Sequence, residues 1–300
     1  MEKNKRLGVV LILLAGIFWG SMGLFVRRLS ALGFSSLQIT SARLTLAAAV
    51  FCLLLLVKEP GGFRIRLRDL PLFLGLGLAS ILFFTVCYFT AIRMMPLSTA
   101  AILLYTSPIW VMLLSLLFFH EQMNRTKLLA LALAFSGCVL VSGLSGGGLT
   151  AAGFLIGLGS GLGYGLYSIL GTLALRRYSP LVVTAYTFLI AAVGSWFISS
   201  PAVLVSQVLA SPSPLRLALF FLLMALVTAV IPFLSYTLGL RSVEASRAAI
   251  LATVEPMVAT LFGVLVFKEA LTPLSALGIV LILAAVLLLN CKVSSSNRQS

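Results

Sequence analysis

One ionisable side chain stands alone in a strongly apolar stretch of the chain. Glu255 lies in the middle of the apolar segment 246–267 and is the one carboxylate well inside such a segment. A charge at the centre of a bilayer costs about 2.5 kcal/mol or more, so a carboxylate there faces a cavity or a partner. Binding of a substrate amine and exchange of a proton both fit this residue. A structural carboxylate that pairs with Arg43 is the alternative.

Arg43 is the one cation that lies several residues inside an apolar segment and not at its edge. It lies roughly 10 Å along the helix from the first residue of segment 37–57, at about 1.5 Å per residue. The guanidinium group can reach an interface while its stem stays apolar, and we favour that interpretation. The alternative is that Arg43 faces a central cavity and binds a substrate carboxylate through two parallel hydrogen bonds.

Aromatic and hydroxyl side chains recur at similar depths in other apolar segments. A mostly apolar pocket with a few polar groups is typical of a small-molecule site, although aromatic residues also collect at membrane interfaces. Pro108 and Pro256 each remove a backbone hydrogen bond in mid-segment, which predicts a kink in both. We predict a substrate site formed by Trp19, Arg43, Tyr88, Tyr105, Ser107, Tyr164, Tyr236 and Glu255.

The composition indicates the elements that must hold these residues. Of 300 residues, 61% are hydrophobic and 9% are charged, whereas soluble domains have about a quarter charged. Apolar runs of roughly 20 residues, enough to cross a bilayer, recur throughout. The fold class is therefore an all-α integral membrane protein with ten transmembrane helices. The predicted spans are 7–26, 37–57, 70–91, 98–118, 127–144, 152–175, 180–200, 216–238, 246–267 and 273–291.

The basic residues lie in short connections, so the net charge of +14 reports membrane topology and does not indicate nucleic acid. If the N-terminus is cytoplasmic, fifteen of the 21 Lys and Arg residues lie inside. Five lie outside, and these are Arg27, Arg28, Arg93, Arg216 and Lys268. The positive-inside rule therefore predicts a multi-pass plasma-membrane protein with both termini cytoplasmic and the connection 201–215 outside.

The chain contains an internal duplication. The segment from Pro96 to Glu121 matches the segment from Glu244 to Glu269 without a gap, and the matched pairs include Pro108 with Pro256 and Glu121 with Glu269. The same alignment pairs Tyr88 with Tyr236 just before these segments. Earlier in each half, Trp19 aligns with Tyr164 and Ser35 aligns with Ser179. We predict two five-helix repeats, 7–144 and 152–291, joined by a Gly-rich connector from Ser145 to Thr150. Because five is odd, the second repeat must be inverted, which is typical of carriers that work by alternating access.

These motifs carry a family resemblance. The Trp19–Gly20 pair, Arg43 in the second span, and the ninth-span sequence Thr253–Met257 with a trailing Phe267–Glu269 resemble the drug/metabolite transporter superfamily, EamA type. The resemblance implies a ten-helix carrier of small polar or amphipathic metabolites, such as amino acids and related compounds, commonly acting in efflux. It leaves the substrate open.

Other functional classes fit less well. An integral membrane enzyme would need a nucleophile, a metal cluster or paired acids, but His120 is the single histidine and no P-loop occurs. The chain is therefore not expected to be an enzyme or to use a cofactor or metal. Cys52, Cys87, Cys138 and Cys291 stand singly, which argues against a disulfide framework. A passive channel remains open, although charge rings and a filter sequence are absent.

The sixth span carries a stripe of glycines at every fourth residue. The stripe consists of Gly153, Gly157, Gly161 and Gly165. Small residues at this spacing let two helices approach closely. A homodimer interface is one interpretation, and packing within the chain is favoured because the first span has a similar stripe.

Overall fold

A computed structural model describes residues 2–143 and 150–295, with side chains for 4–143 and 150–290. Within these ranges the regular elements are helices. The spans are built from Glu2–Gly20 with Met22–Ala31, Ser36–Lys58, Leu70–Leu74 with Gly75–Leu82 and Phe83–Met94, Leu97–Leu104 with Ser107–Phe119, Arg125–Ser142, Ala151–Ala174, Pro180–Trp196, Pro214–Ala225 with Leu226–Val230 and Ile231–Gly239, Ala245–Leu251 with Val254–Phe267, and Pro273–Ser295. The predicted connector lies outside the described residues except for Thr150, as does the side chain of Cys291.

The helices account for ten membrane spans. Among the described residues, nine helices are long and apolar enough to cross a membrane. The tenth, Pro180–Trp196, has 17 residues, which is near the lower limit for a span. The prediction that this span continues to residue 200 was wrong, because the chain turns by 87° into a further helix, Pro201–Leu209. The connection predicted at 201–215 is thus partly helical.

Equivalent serines begin equivalent spans in the two repeats. The Ser35 side chain accepts a hydrogen bond from the Gln38 N–H at 3.3 Å, and Ser179 accepts from the Val182 N–H at the same distance. Such caps satisfy an amide that has no partner within the helix. The aligned residues Ser35 and Ser179 are therefore the N-caps of the second and seventh spans.

The packing of the spans follows the repeat. The second span packs against the seventh and the fifth against the tenth, so each pair joins equivalent spans. The first span packs on the eighth as the sixth packs on the third, which is the same contact with the repeats exchanged. The third and eighth spans both contain a π-helical stretch, Gly75–Leu82 and Leu226–Val230. The two repeats thus share local irregularities as well as helix order.

Large apolar side chains cover the outside of the bundle. Leu117 and Leu265 hold equivalent positions in the fourth and ninth spans, and each is 66% exposed. A contiguous exposed surface of this kind is unfavourable in water but is solvated by lipid chains, while the helices satisfy their own backbone groups. The fold is that of an integral membrane protein.

We call the end of the bundle where the first span starts and the tenth span ends the terminal face, and the other end the opposite face. Polar contacts join the repeats at the terminal face. Arg177 Nη1 lies 2.5 Å from Asp69 Oδ1, and the Tyr178 hydroxyl donates to Asp69 Oδ2 at 2.7 Å. The Ser179 hydroxyl donates to Glu59. These contacts tie the start of the third span and the end of the second to the loop before the seventh.

Candidate functional site

The fourth and ninth spans are broken at equivalent places. The fourth span stops at Leu104 and restarts at Ser107, and the ninth stops at Leu251 and restarts at Val254. The kinks predicted from Pro108 and Pro256 fall at these interruptions. Pro108 and Pro256 lie in the first turn of the second half-helix, where a missing N–H removes no hydrogen bond. The prolines therefore start new helices at mid-span.

Glu255 lies at the ninth-span break. Its carboxylate is in the first turn of the half-helix, where the free N–H groups and the helix dipole favour negative charge. The Tyr164 hydroxyl donates a hydrogen bond to Glu255 Oε2 at 2.8 Å. Glu255 lies within the bundle and keeps part of its surface accessible. Its carboxylate can accept further hydrogen bonds from a ligand.

Arg43 does not extend to the membrane interface, contrary to the favoured interpretation. It is 5% exposed, and Nη1 donates to the sulfur of Met22 at 3.0 Å. A thioether is a weak acceptor, and Arg43 Nε has no partner among the described residues. No ion pair within 4.0 Å joins Arg43 to Glu255 in the described chain, although the two charges act on each other. Arg43 is a buried cation with incomplete compensation.

Aromatic rings from three spans meet beside Glu255. The Trp19 ring centroid lies 6.1 Å from Tyr164, 5.0 Å from Phe233 and 5.3 Å from Tyr236. The Trp19 Nε1 donor is buried without a partner in the described residues. Buried N–H groups are rarely left unpaired, so Trp19 is a candidate donor to a ligand. Trp19, Tyr164 and Tyr236 were all predicted as members of the site, and their rings are neighbours in the structure. Phe233 was not predicted.

These rings line a small cavity of about 20 Å³, which is room for about one water molecule. The lining residues are Trp19, Ser107, Val111, Tyr164, Gly165, Tyr167, Ser168, Phe233, Tyr236, Ala249 and Ala252. Of the predicted residues, Ser107 therefore lines the cavity with Trp19, Tyr164 and Tyr236. Arg43 and Glu255 are not part of its wall.

Two hydroxyl pairs connect the sixth span to the eighth beside the cavity. The hydroxyl groups of Tyr167 and Thr237 lie 2.6 Å apart, and those of Ser168 and Tyr236 lie 2.7 Å apart. Ser168 was missed by the sequence prediction. Its spacing from Tyr164 places it one helical turn along the same face, and this was the available signal.

The remaining two predicted residues lie at the edge of the site. Tyr88 packs in a small cluster at the end of the third span, and its ring contacts Phe89. Tyr105 ends the first half of the fourth span. Neither lines the cavity described above.

The glycine stripes of the first and sixth spans let the broken spans pack closely against them. A methyl group at Gly161 would lie 2.6 Å from the Leu103 carbonyl oxygen at the fourth-span break. One at Gly20 would lie 2.7 Å from the Glu255 carbonyl oxygen at the ninth-span break. Real Cβ atoms do not approach backbone this closely, so only glycine fits. The stripes are thus used within the chain, as favoured above, and the structure does not address a homodimer.

The side chains around the ninth-span break supply groups that can bind a ligand. These groups are one acid, one incompletely paired cation, hydroxyl groups and aromatic faces. Among the described residues, no group of three potential metal-ligating side chains occurs. The arrangement can bind a small molecule that carries opposite charges and an apolar part.

Comparison with known proteins identifies the family of the chain. The model of the EamA-like transporter family matches residues 6–143 and 151–291. An uncharacterized transporter of Archaeoglobus fulgidus is 31% identical over 94% of this chain and 96% of its own length. The uncharacterized transporter YwfM of Bacillus subtilis is 25% identical over 93% and 92%.

Two further similarities are more limited. The pseudopaline exporter CntI of Pseudomonas aeruginosa is 30% identical over 45% of each chain. A crystal structure aligns with a TM-score of 0.77 over 98% of this chain and 99% of the other at 19% identity, which supports the fold alone. The matched family and the full-length relatives are transporters, not enzymes. The chain belongs to the EamA-like transporter family, within the drug/metabolite transporter superfamily.

Proposed function

We propose that this protein is a secondary carrier that exports small zwitterionic metabolites, such as amino acids and related compounds, by alternating access. The observation that carries the proposal is the pair of opposite charges, Glu255 and Arg43, that lie inside the bundle without an ion pair between them. A ligand with an ammonium and a carboxylate group supplies a partner to each. The unpaired N–H of Trp19 adds a third contact.

The small cavity supports a carrier more than a channel. The cavity among the rings around Trp19 has about 20 Å³ free, room for about one water molecule and too little for a metabolite. The spans must separate before a substrate enters, and the breaks in the fourth and ninth spans provide places where half-helices move independently. A carrier saturates with substrate because each cycle needs this movement. Flux into proteoliposomes that rises without saturation would favour a channel.

The direction and membrane of transport rest on charge and on one relative. The excess of Lys and Arg at the terminal face favours a cytoplasmic position for it in the plasma membrane. The likeness to a pseudopaline exporter, over less than half the chain, favours export. Gly61 and Ser213 are exposed at the two faces. In intact cells an impermeant maleimide should label Ser213→Cys and spare Gly61→Cys, and the reverse pattern would contradict this orientation.

The ligand class is tested by thermal unfolding of the purified protein with a panel of amino acids. A ligand that binds the folded state raises the apparent Tm. Each active amino acid is compared with its amide, which lacks the carboxylate, and its N-acetyl derivative, which lacks the ammonium group. Both derivatives should shift the wild-type Tm less than the parent compound does.

Charge-removing variants assign each ligand group to a residue. Glu255→Gln should respond equally to the amino acid and its N-acetyl derivative, because the partner of the ammonium group is lost. Arg43→Gln should likewise stop distinguishing the amino acid from its amide. If both variants keep the wild-type preference, these residues do not bind the two groups and the proposed site is wrong.

A further inference from the structure

The ends of the fourth and ninth spans have the same backbone structure. His120 and Lys268 end their helices in the left-handed conformation, with φ of 52° and 60°. The following N–H groups, of Glu121 and Glu269, donate to carbonyls six residues earlier at 3.3 and 3.2 Å. The two glutamates are thus placed alike, Glu121 at the terminal face and Glu269 at the opposite face.

The partners of these two glutamates differ. Glu121 is 9% exposed and accepts hydrogen bonds from the hydroxyl of Ser246 and from Lys127 Nζ, the latter at 3.3 Å. Glu269 is 47% exposed and pairs at 2.6 Å with Arg27, which is 54% exposed. Exposed ion pairs of this kind contribute little to stability. The contact of Glu121 with Ser246 therefore joins the fourth and ninth spans at the terminal face. Glu269 instead joins the ninth span to Arg27 in Met22–Ala31 and, among the described contacts, makes none with the fourth span.

The repeat supplies the missing counterpart. The fourth and ninth spans align without a gap, and Ser246 near the start of the ninth span corresponds to Ser98 near the start of the fourth. The hydroxyl of Ser98 is buried and has no partner in the described residues. Buried hydroxyl groups are nearly always hydrogen-bonded. Ser98 thus holds the position equivalent to Ser246. The Ser246 hydroxyl donates to a glutamate, whereas the Ser98 hydroxyl has no acceptor among the described residues.

Helix packing breaks the repeat symmetry at the same place. At the terminal face, the half-helix Ala245–Leu251 packs closely on Ser107–Phe119. The equivalent halves at the opposite face are Leu97–Leu104 and Val254–Phe267, and they have marginal contact at most. The contacts of the first span with the eighth and of the sixth with the third remain equivalent. The contact between the fourth and ninth spans is therefore one that differs between the two faces.

We propose that Ser98 and Glu269 form the closing contact of the opposite face in the alternate conformation, in which Ser246 and Glu121 separate. We call these contacts the opposite latch and the terminal latch. The inference rests on the proposed alternating access, and it assigns the residues that hold each face shut. When the two repeats exchange their conformations, the terminal latch opens and the opposite latch forms. In this structure only the terminal latch is formed.

The terminal latch has an added ion pair that its counterpart lacks. Lys127 Nζ also lies 2.7 Å from Glu244 Oε2, whereas the aligned positions in the other repeat are Ser275 and Pro96, which cannot pair. The conformation closed at the terminal face should therefore dominate without substrate. Loss of the Ser246 hydroxyl removes a hydrogen bond to a charged group, which shifts such an equilibrium roughly tenfold.

Cross-linking of paired cysteines tests the exchange. The native cysteines are replaced by serine, and one protein carries Ser98→Cys with Glu269→Cys while another carries Ser246→Cys with Glu121→Cys. Without substrate the second pair should cross-link efficiently and the first poorly. Adding Ser246→Ala to the first pair should raise its cross-linking roughly tenfold. An unchanged yield would overturn the proposal.

A second measurement avoids the glutamate substitutions. Ser98 has no partner in the conformation closed at the terminal face, so Ser98→Ala should not lower Tm but should slow transport, and Ser98→Thr should restore transport. The control is Ser211→Ala, which removes another buried hydroxyl without a partner in the described chain but lies outside both broken spans. Equal transport by Ser98→Ala and Ser211→Ala would also refute the latch.

The two proposals fail separately. Zwitterion binding without cross-linking of the Ser98 and Glu269 positions leaves the proposed function intact and removes the latch. Exchange of the two cross-links without zwitterion binding supports the latch and removes the substrate class.

Discussion

Replacement of Arg43 by methionine should stabilise the protein and abolish its preference for ligands with a carboxylate. Arg43 is 5% exposed, its Nε has no partner in the described chain, and Nη1 donates to a sulfur. A buried unsatisfied donor costs about 1–3 kcal/mol. Methionine has similar length and no polar hydrogen, so the variant regains this free energy of unfolding.

The assay is thermal unfolding of the purified protein in one detergent, with and without a zwitterionic ligand. Each 1 kcal/mol shifts Tm by about 2–4 °C in domains of 150–250 residues, so an increase of at least about 2 °C is expected. Arg93→Met serves as control, because Arg93 is exposed and its loss should change Tm little.

A decrease in Tm for Arg43→Met would refute this reasoning. It would show that the cation is compensated in the unliganded protein, with Glu255 as the available counter-charge. Recovery of Tm in the double variant Arg43→Met with Glu255→Gln would identify that pairing directly. The substrate would then have no free cation to bind.

Three further outcomes are expected. Tyr164→Phe removes the hydrogen bond to Glu255, so the ligand-induced Tm shift for amines should change while that for N-acetyl derivatives does not. Pro256→Ala lets the ninth span continue as one helix, so transport should slow more than binding weakens, and equal losses would contradict a moving break. Gly161→Ala should lower Tm by several degrees because its methyl group meets a backbone carbonyl, whereas Gly23→Ala, with nothing within 4 Å, should have little effect.

The architecture could be predicted because hydropathy and duplication act over the whole chain. Roughly 20 apolar residues must form a span, and a gapless match over the fourth and ninth spans requires equivalent structures. The same logic brought Trp19 and Tyr164 together, since each lies at the same depth in equivalent spans. Ten helices in two inverted repeats follow from these two facts.

The parts that were missed depend on local geometry. Pro256 indicated a disturbance, but a kinked helix and two half-helices share that signal, and tertiary packing decides between them. Arg43 is near enough to the interface to reach it, and only the surrounding spans show that it is buried. Pro201–Leu209 is a short helix after a sharp turn, which hydropathy does not separate from a loop.

The symmetry of the scaffold makes the asymmetry of the site informative. Glu255 aligns with Ser107, and Arg43 aligns with Thr187, which bonds its own helix at the Val183 carbonyl. In alternating access the two repeats exchange their conformations, which needs equivalent backbones but not equivalent side chains. A buried charge in one repeat only is costly to folding and adds nothing to that exchange. The asymmetry therefore supports the proposed ligand, which carries the counterparts of the two charges.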